Sequence, residues 1–416
     1  MSNKIIVEVI EQYGEEAAFQ WLLRNDVVCA SHYNLADLVE FDERLEANLD
    51  GLRVAGDAGW EICREALGEE EAGEVFAAAV LAFSDGVDER IQLVLEAGCG
   101  SPELSRALIS ALGWLPYSRV EERIKNLLGS DSADLRCVGI GACAVHRHDP
   151  GKPLAEAISD SDPLLRVRAI RAAGELGRAD LLPECISNFK ADDENTRFWS
   201  AWSVTLLGDP SGVGILRDIA EAGGPLAERA VGLVARKADP AQELQWQKQL
   251  AAREERRRLA LIAAGAIGDP VTIPWLIEMM QVAELTRVAG ESFSMITGVD
   301  LAYDDLDGDR PEGFETGPTE SPEDEDVDLD PDEDLPWPVP DLIAGWWSDN
   351  KGKFRDGTRY LLGQPISPEH LQHVLKLGFQ RQRIAAALEL AVTQAGRSLF
   401  EVRAPALRQR QLLGLK

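Results

Sequence analysis

Residues 166–177 read RVRAIRAAGELG, and residues 257–268 repeat the pattern as RRLALIAAGAIG. Both stretches begin with an Arg, continue with small or apolar residues every three or four positions, and end with a Gly. That spacing puts the small residues on one face of a helix, where a neighbouring helix can approach closely. The final Gly suits the left-handed conformation that ends many helices. The pattern therefore predicts a closely packed helix that ends at Gly177 or Gly268.

The same unit recurs along the chain with a period of about 30 residues. The other copies begin at Arg136, Arg197, Arg229 and Arg287. Asp-Pro dipeptides keep the same register, at residues 149–150, 209–210, 239–240 and 269–270. Asp accepts the free N–H groups at the start of a helix, and Pro fits the first helical position. We therefore expect a second helix to begin at each dipeptide.

Each unit is predicted to be a helical hairpin, which cannot bury its apolar face alone. Hairpins of this kind stack on their neighbours, so the predicted fold is an all-α solenoid with one elongated core. We expect about seven or eight hairpins between residues 70 and 298. The predicted regions are an N-terminal helical cap (1–68), the repeat solenoid (69–298), an acidic disordered loop (299–336) and a helical C-terminal region (337–416).

Units of this length with the pattern Arg-x-x-Ala-Ile-x-Ala-x-Gly-x-Leu-Gly resemble short HEAT repeats. More specific segments lie towards the two ends of the chain: HYNL at 32–35, LDGLRVAG at 49–56, RYLLGQP at 359–365 and RQRIAAALEL at 381–390. With these segments, nearly the whole chain resembles a family of uncharacterised HEAT-like proteins encoded in type VI secretion gene clusters of Gram-negative bacteria. The resemblance implies a HEAT-like fold and a secretion setting, and it implies no catalytic motif.

The formal net charge of −30 is unevenly distributed. Residues 304–334 contain sixteen Asp or Glu and one basic residue. Like charges at that density repel one another, which predicts a disordered loop. Residues 376–416 have the opposite balance, with eight Lys or Arg and two Glu. We hypothesise that the loop competes with an acidic partner for the arginines of this basic tail, which are Arg381, Arg383, Arg403, Arg408 and Arg410.

Three of the ten tryptophans, Trp337, Trp346 and Trp347, lie within eleven residues directly after the acidic loop. One hypothesis is that they cap the open end of the solenoid, since repeat arrays require caps. The other is that they form a docking hot spot, because Trp is over-represented among the residues that dominate interface energy.

The sequence nominates no catalytic centre, and we expect a protein that is not an enzyme and holds no cofactor. The six cysteines form no Cys-x-x-Cys pair, so we expect buried, reduced thiols. His146 with His148, and His370 with His373, lack the third ligand that a metal site needs. The repeated arginines are expected to form a structural ladder between repeats.

The acidic composition disfavours nucleic acid as a partner, because phosphate binding needs a basic surface. No stretch reaches the eighteen or so apolar residues of a membrane span, and no signal peptide opens the chain, so we expect a cytoplasmic protein without membrane insertion. The favoured function is a non-catalytic protein-binding scaffold or adaptor, with a type VI secretion component or cargo effector as partner. The alternatives are an immunity-type inhibitor of a basic toxin and a HEAT-like solenoid enzyme, either lyase-like or glycosylase-like. The predicted partner contacts are Trp337, Trp346, Trp347, Arg381, Arg383, Arg403, Arg408 and Arg410.

Overall fold

The computed structural model describes residues 6–237, 239–314 and 330–415. It opens with three helices, α1 (Val7–Val27), α2 (Leu35–Ala55) and α3 (Asp57–Ala66). α2 begins at a capping box, in which the Asn34 side chain accepts the N–H of Asp37 and the Asp37 carboxylate accepts the N–H of Asn34. α1 packs against α2 and against the first helix of the repeats.

Two layers of helices follow. The core helices, each packed on the next, are α4 (Ala72–Asp85), α6 (Pro102–Trp114), α8 (Ala133–His146), α10 (Pro163–Leu176), α12 (Glu194–Leu206), α14 (Ala227–Lys237), α16 (Arg257–Ile267) and α18 (Thr286–Thr297). The outer helices, each packed on core helices, are α5 (Asp88–Gly98), α7 (Tyr117–Leu128), α9 (Lys152–Ala157), α11 (Leu182–Ser187), α13 (Gly212–Ala222), α15 (Pro240–Ala251) and α17 (Ile273–Met279). The alternation of the two layers confirms the predicted all-α, HEAT-like solenoid.

Small residues set the spacing between core helices. A Cβ added at Gly174 of α10 would lie 2.8 Å from the Cα of Ser203 on α12. The Ser203 hydroxyl donates to the Ile170 carbonyl of α10 at 2.8 Å. Gly265 and Ser292 repeat this arrangement between α16 and α18. A larger side chain at either glycine would force the two helices apart, which explains the Gly in the repeated pattern.

Three of the repeated arginines hold the turn that precedes their core helix. Arg136, Arg166 and Arg197 each donate from Nη1 to the two carbonyl groups five and six residues earlier, at 2.7–3.4 Å. Between units, Arg136 pairs with Asp160 at 2.9 Å. The repeated contact is thus made within a unit, which corrects the predicted ladder between repeats.

The Asp-Pro dipeptides differ in part from the prediction. Asp239 accepts two N–H groups of the first turn, and α15 begins at the following Pro240. Asp149, Asp209 and Asp269 instead accept the N–H two residues further on, at 2.8–3.0 Å, and the outer α-helix begins three or four residues after the Asp. These three dipeptides form Asx turns. The prediction that a helix begins at each dipeptide is therefore wrong at Asp149 and Asp209, whereas a 3₁₀-helix (Pro270–Thr272) begins directly after Asp269 and leads into α17.

The described flanks of the acidic loop form a short β-ribbon, although most of their residues are exposed. β1 (Asp307–Gly308) pairs antiparallel with β2 (Trp337–Pro338), and Leu306 and Leu335 are buried beside this short ribbon. The predicted disorder is therefore wrong for the described flanks of the loop. Residues 315–329 of the predicted loop lie outside the described residues.

Ion pairs explain why the acidic flank packs in spite of its charge. Asp332 is buried and accepts from both Nη atoms of Arg258, at 2.5 and 2.9 Å. Asp330 pairs with Arg287 at 2.5 Å. Each carboxylate therefore meets a guanidinium, and this attraction offsets the like-charge repulsion on which the prediction of disorder rested.

The C-terminal region contains α19 (Pro340–Asn350), an antiparallel pair of β3 (Tyr360–Leu361) with β4 (Gln364–Pro365), α20 (Pro368–Leu377), α21 (Gln380–Thr393) and α22 (Ala406–Leu412). α21 packs on the core helices α12 and α14, and α22 packs on α2. The chain therefore returns along the core helices to the opening hairpin. We call the side of the core helices that bears this region the inner face.

Glycines at the ends of core helices let the returning chain approach. Gly177, Gly268 and Gly298 end α10, α16 and α18 with φ of 71°, 73° and 75°, which confirms the predicted left-handed caps at Gly177 and Gly268. A Cβ at these positions would lie 2.3–2.6 Å from the backbone of the C-terminal region. At one of them, the Tyr360 N–H donates to the Gly268 carbonyl at 2.8 Å.

Candidate protein-interaction site

The clustered tryptophans lie against the last units of the solenoid. The Trp346 ring packs edge-on against Phe293 of α18, with centroids 5.6 Å apart, and the Trp347 ring lies 5.4 Å from another phenylalanine ring. The Arg287 guanidinium lies 4.6 Å from the centroid of Trp337. All three indoles are half-buried. These contacts favour the end-cap hypothesis over the docking hypothesis, because the rings already pack within the chain.

Arg381 and Arg383 of α21 both make polar contacts within the chain, and Arg381 is half-buried. Arg381 pairs with Glu291 at 2.9 Å and donates to the Cys29 carbonyl at 3.0 Å. Arg383 is fully buried and donates from Nε to the Leu375 carbonyl at 2.8 Å. Burial lowers the pKa of Arg383 to about 10. A fully buried guanidinium cannot meet a partner, so the predicted partner contact at Arg383 is wrong.

The last three arginines of the predicted contact set differ in exposure. Arg408 donates to the carbonyl groups of Gly113 (2.7 Å) and Leu115 (3.1 Å) at the end of α6. Arg410 is half-buried on α22. Arg403 lies in the connection between α21 and α22 and is exposed. It donates to the side-chain oxygen of Asn25 on α1 at 3.4 Å. Arg403 is therefore open to a partner.

The buried carboxylate of Glu175 on α10 forms ion pairs with two arginines. Glu175 pairs with Arg168 at 2.9 Å and with Arg171 at 2.8 Å. Burial alone would raise the pKa of Glu175, but the charges of Arg168, Arg171 and Arg147 outweigh it and hold that pKa well below its usual range. Arg171 keeps 42% of its side chain exposed. One negative charge shared by two guanidiniums leaves positive charge in excess at this place.

Trp199 of α12 contacts a guanidinium from each neighbouring core helix. The Cζ atoms of Arg171 (α10) and Arg229 (α14) lie 4.5 and 5.3 Å from the centroid of the Trp199 ring. A cation–π contact holds a guanidinium without using its N–H groups. Arg229 is exposed and has no hydrogen bond or ion pair among the described residues. Its N–H groups are therefore available for a ligand.

Arg106 of α6 extends this positive region together with Arg403. The Arg106 Cζ lies 5.5 Å from the centroid of Trp21 on α1, and Arg106 likewise has no hydrogen bond or ion pair in the described part of the chain. The surrounding protein removes part of the water around Arg106, and this desolvation, with repulsion by Arg403, lowers its pKa. Desolvation and then repulsion by Arg171 and Arg403 lower the pKa of Arg229 in the same way. We name Arg106, Arg171, Arg229 and Arg403 the arginine cluster.

The sequence predicts Arg403 as a partner contact but none of the other members of the arginine cluster. One signal could have found part of it, because Arg168, Trp199 and Arg229 are spaced by about 30 residues and lie on three successive core helices. A basic or aromatic residue at one position of neighbouring repeats indicates a shared surface. The position of Arg403 beside the other three arginines could not have been predicted from the repeats, since Arg403 lies in the C-terminal region, outside the repeats.

A second surface lies on α1 and is apolar with an acidic rim. Phe19, Leu22 and Leu23 are 56%, 38% and 39% exposed. The acidic residues of α1 are Glu8, Glu11, Glu15, Glu16 and Asp26. The one basic residue of the helix, Arg24, is buried and paired with Asp42 at 2.6 Å, so it does not neutralise the rim. We name Phe19, Leu22 and Leu23, with Glu8, Glu11, Glu15 and Glu16, the α1 patch; Asp26 lies towards Arg106 and is not part of it.

Most of the cysteines and histidines have structural contacts. Burial raises the pKa of Cys63, Cys143 and Cys185 to about 12 each. Cys29 is exposed and Cys99 and Cys137 are half-buried, so the expectation of buried thiols holds for three of the six cysteines. The His146 ring hydrogen-bonds a backbone carbonyl at 2.9 Å. Among the described residues, no group of three or more side chains could hold a metal ion.

Residues 151–235 match the family model for HEAT repeats. The matched stretch runs from the start of α9 into α14 and contains the pattern from which the solenoid was predicted. HEAT repeats are commonly protein-interaction scaffolds, and most proteins that contain them are not enzymes. No curated protein matches the chain. Within the described ranges, no helix has the length and apolar character needed to cross a membrane.

Proposed function

We propose that this protein is a non-catalytic scaffold or adaptor that binds a protein partner on its inner face. The arginine cluster carries the proposal, because exposed guanidiniums from α6, α10 and α14 share one face of the solenoid. Repeat arrays bind partners through such extended surfaces, to which each unit contributes a few residues. The match to HEAT repeats supports the same general role.

We further propose that the scaffold acts in the cytoplasm and that its partner is a component or cargo effector of a type VI secretion system. The resemblance of the segments around residues 32–56 and 359–390 supports this setting. Those segments pack together, since the Gln380 N–H donates to the Tyr33 carbonyl at 2.7 Å. The resemblance therefore covers two segments that are far apart in the sequence and in contact in the fold.

Affinity capture followed by mass spectrometry tests the proposal. The bait is the full chain, expressed in a host that carries the secretion gene cluster and in the same host with that cluster deleted. We expect a secretion component or effector to be enriched from the first host and absent from the second. Arg229→Glu should reduce its recovery, whereas Arg64→Glu, which changes an exposed arginine on α3, should not. Identical captured proteins from the two hosts would contradict the secretion setting.

The α1 patch favours a second candidate function, an immunity-type inhibitor of a basic toxin. Exposed apolar residues surrounded by carboxylates fit a basic partner with an apolar centre. Under this alternative, Glu15→Lys with Glu16→Lys should weaken binding of the toxin, measured by calorimetry, and Arg229→Glu should leave it unchanged. The reverse pattern would favour the inner face as the site.

A further inference from the structure

The arginine cluster concentrates positive charge on a protein whose formal net charge is −30. Asp26 and Glu103 raise the pKa of Arg106 through their charge, yet neither is close enough to pair with it. Like charges on one face repel one another and destabilise the fold. An anion bound between the arginines would remove that repulsion, so the cluster favours an anionic ligand.

The guanidiniums are also positioned in advance for such a ligand. Trp199 holds Arg171 and Arg229, and Trp21 holds Arg106, through ring contacts of 4.5–5.5 Å. A guanidinium resting on an indole loses less freedom on binding and keeps its fork of N–H donors for a carboxylate. The indoles therefore act as supports for the arginines.

The spread of the cluster sets the size of the ligand. Arg106, Arg171 and Arg229 lie on α6, α10 and α14, and neighbouring packed helices are about 8–10 Å apart. A single carboxylate or phosphate group cannot reach all three arginines at once. An extended chain with several negative groups can.

Two observations favour a peptide over a nucleic acid. Trp21 and Trp199 are buried and contacted by arginines, so they offer no open ring on which a base could stack. The net charge of −30 also repels a polyphosphate at a distance. A short acidic segment carries less charge and pairs its carboxylates with guanidiniums in a bidentate manner.

We propose that the arginine cluster binds an acidic peptide segment, with Asp and Glu side chains paired to Arg106, Arg171, Arg229 and Arg403. This inference rests on the proposed scaffold function, since it specifies the part of the partner that the inner face holds. The surface is distinct from the basic tail predicted from the sequence, of which Arg403 alone belongs to the cluster.

Fluorescence anisotropy with labelled peptides tests the inference on the full chain. The probe is a peptide of about ten Asp, Glu and Ser residues, which extends to roughly 35 Å. The reference peptide has Asn and Gln in place of Asp and Glu. Both are titrated near 0.15 M salt, where exposed charges more than about 8 Å apart are largely screened. We expect the acidic peptide to bind at least tenfold more tightly than the amide peptide.

Three single variants locate the binding. Arg229→Glu and Arg403→Glu should each weaken binding of the acidic peptide about tenfold or more, since each removes a charge-assisted hydrogen bond and places a like charge beside the peptide. Arg64→Glu makes the same charge change on α3, far from the cluster in sequence, and should weaken binding less than twofold. Circular dichroism checks that each variant is folded, and Arg229→Gln replaces Arg229→Glu if the latter is not.

Several results would overturn the inference. Equal affinity for the acidic and amide peptides would do so, as would equal weakening by Arg229→Glu and Arg64→Glu, which would mean general electrostatic attraction. Tighter binding of a single-stranded oligonucleotide than of the acidic peptide would make the face a nucleic-acid site. If Arg229→Glu and Arg403→Glu capture the native partner as well as the unchanged protein does, the scaffold function stands and the site assignment fails. If the acidic peptide binds but no partner is captured, the site assignment stands and the proposed scaffold function fails.

Discussion

Asp269 links a helix start to the C-terminal region, and its replacement by Ala tests whether the returning chain stabilises the solenoid. The buried Asp269 carboxylate accepts the N–H of Val271 at 3.0 Å and the N–H of Gly357 at 3.0–3.2 Å. Asp239 occupies the same Asp-Pro motif but is exposed, and it accepts N–H groups of its own helix alone. The two residues form a matched pair that differs in the contact to the C-terminal region.

The expected losses of stability differ between the two variants. Removing the acceptor at a helix start costs about 1 kcal/mol, which is the full effect expected for Asp239→Ala. Asp269→Ala also removes a charged acceptor from Gly357, and a hydrogen bond to a charged group contributes about 1.5–3 kcal/mol. Because Gly357 is exposed, water replaces part of that bond, and we take the lower end of the range. The expected loss for Asp269→Ala is therefore roughly 2–3 kcal/mol.

Two measurements test this difference. Urea unfolding of the full chain gives the free energy of unfolding for each variant. Hydrogen exchange, followed by mass spectrometry, reports the segment around residues 351–361, which should exchange faster in Asp269→Ala and at the normal rate in Asp239→Ala. Equal losses of stability in the two variants, with unchanged exchange in that segment, would refute the reasoning.

Three further predictions follow from packing and charge. Trp346→Ala with Trp347→Ala should lower the free energy of unfolding by roughly 2–4 kcal/mol, because removal of the two half-buried rings leaves the last unit uncovered. Chemical unfolding measures this loss, and an unchanged free energy of unfolding would contradict the end cap. Asp332→Asn should cost roughly 2–3 kcal/mol in the same assay, less than a fully buried pair because Arg258 is 30% exposed. Burial, then repulsion by a neighbouring arginine, lowers the pKa of His146 from 6.5 to about 4; the unfolded chain therefore binds the proton first, and stability falls as pH drops from 6.5 towards 4, by about 1 kcal/mol at pH 5.5. His146→Gln should lessen this fall in unfolding curves at pH 7.5 and 5.5.

The solenoid could be predicted from the sequence because its determinants are local and repeated. Gly174 and Gly265 stand at the same place in their units, and each meets a serine of the next core helix. Such contacts leave a periodic trace that a single chain displays. The return of the C-terminal region leaves no periodic trace in the sequence. Gly177, for example, lies against the backbone of Gly396, and these two positions are far apart in the chain.

Charge counts do not show which charges are exposed, because they treat every charge as solvated. Asp332 belongs to the most acidic stretch of the chain, yet it is buried against Arg258. Arg383 belongs to the basic tail, yet it is buried among carbonyl and amide groups. From the sequence, Arg229 is predicted only as the start of one copy of the repeat, although it is exposed and has no ion pair among the described residues. The sign of a segment therefore says less about binding than the pairing of its individual side chains.

An adaptor needs two surfaces that do not overlap, and α1 separates the two candidates. Trp21 faces the solenoid and supports Arg106 of the arginine cluster. Phe19 and Leu23, two residues before and after it, lie on the opposite side of the helix, since two residues correspond to about 200° of rotation. The α1 patch is acidic and the inner face is positive at the cluster, so the two surfaces favour partners of opposite charge. On the proposed function, one protein could hold a basic and an acidic partner at the same time, and charge would keep each from the other's site.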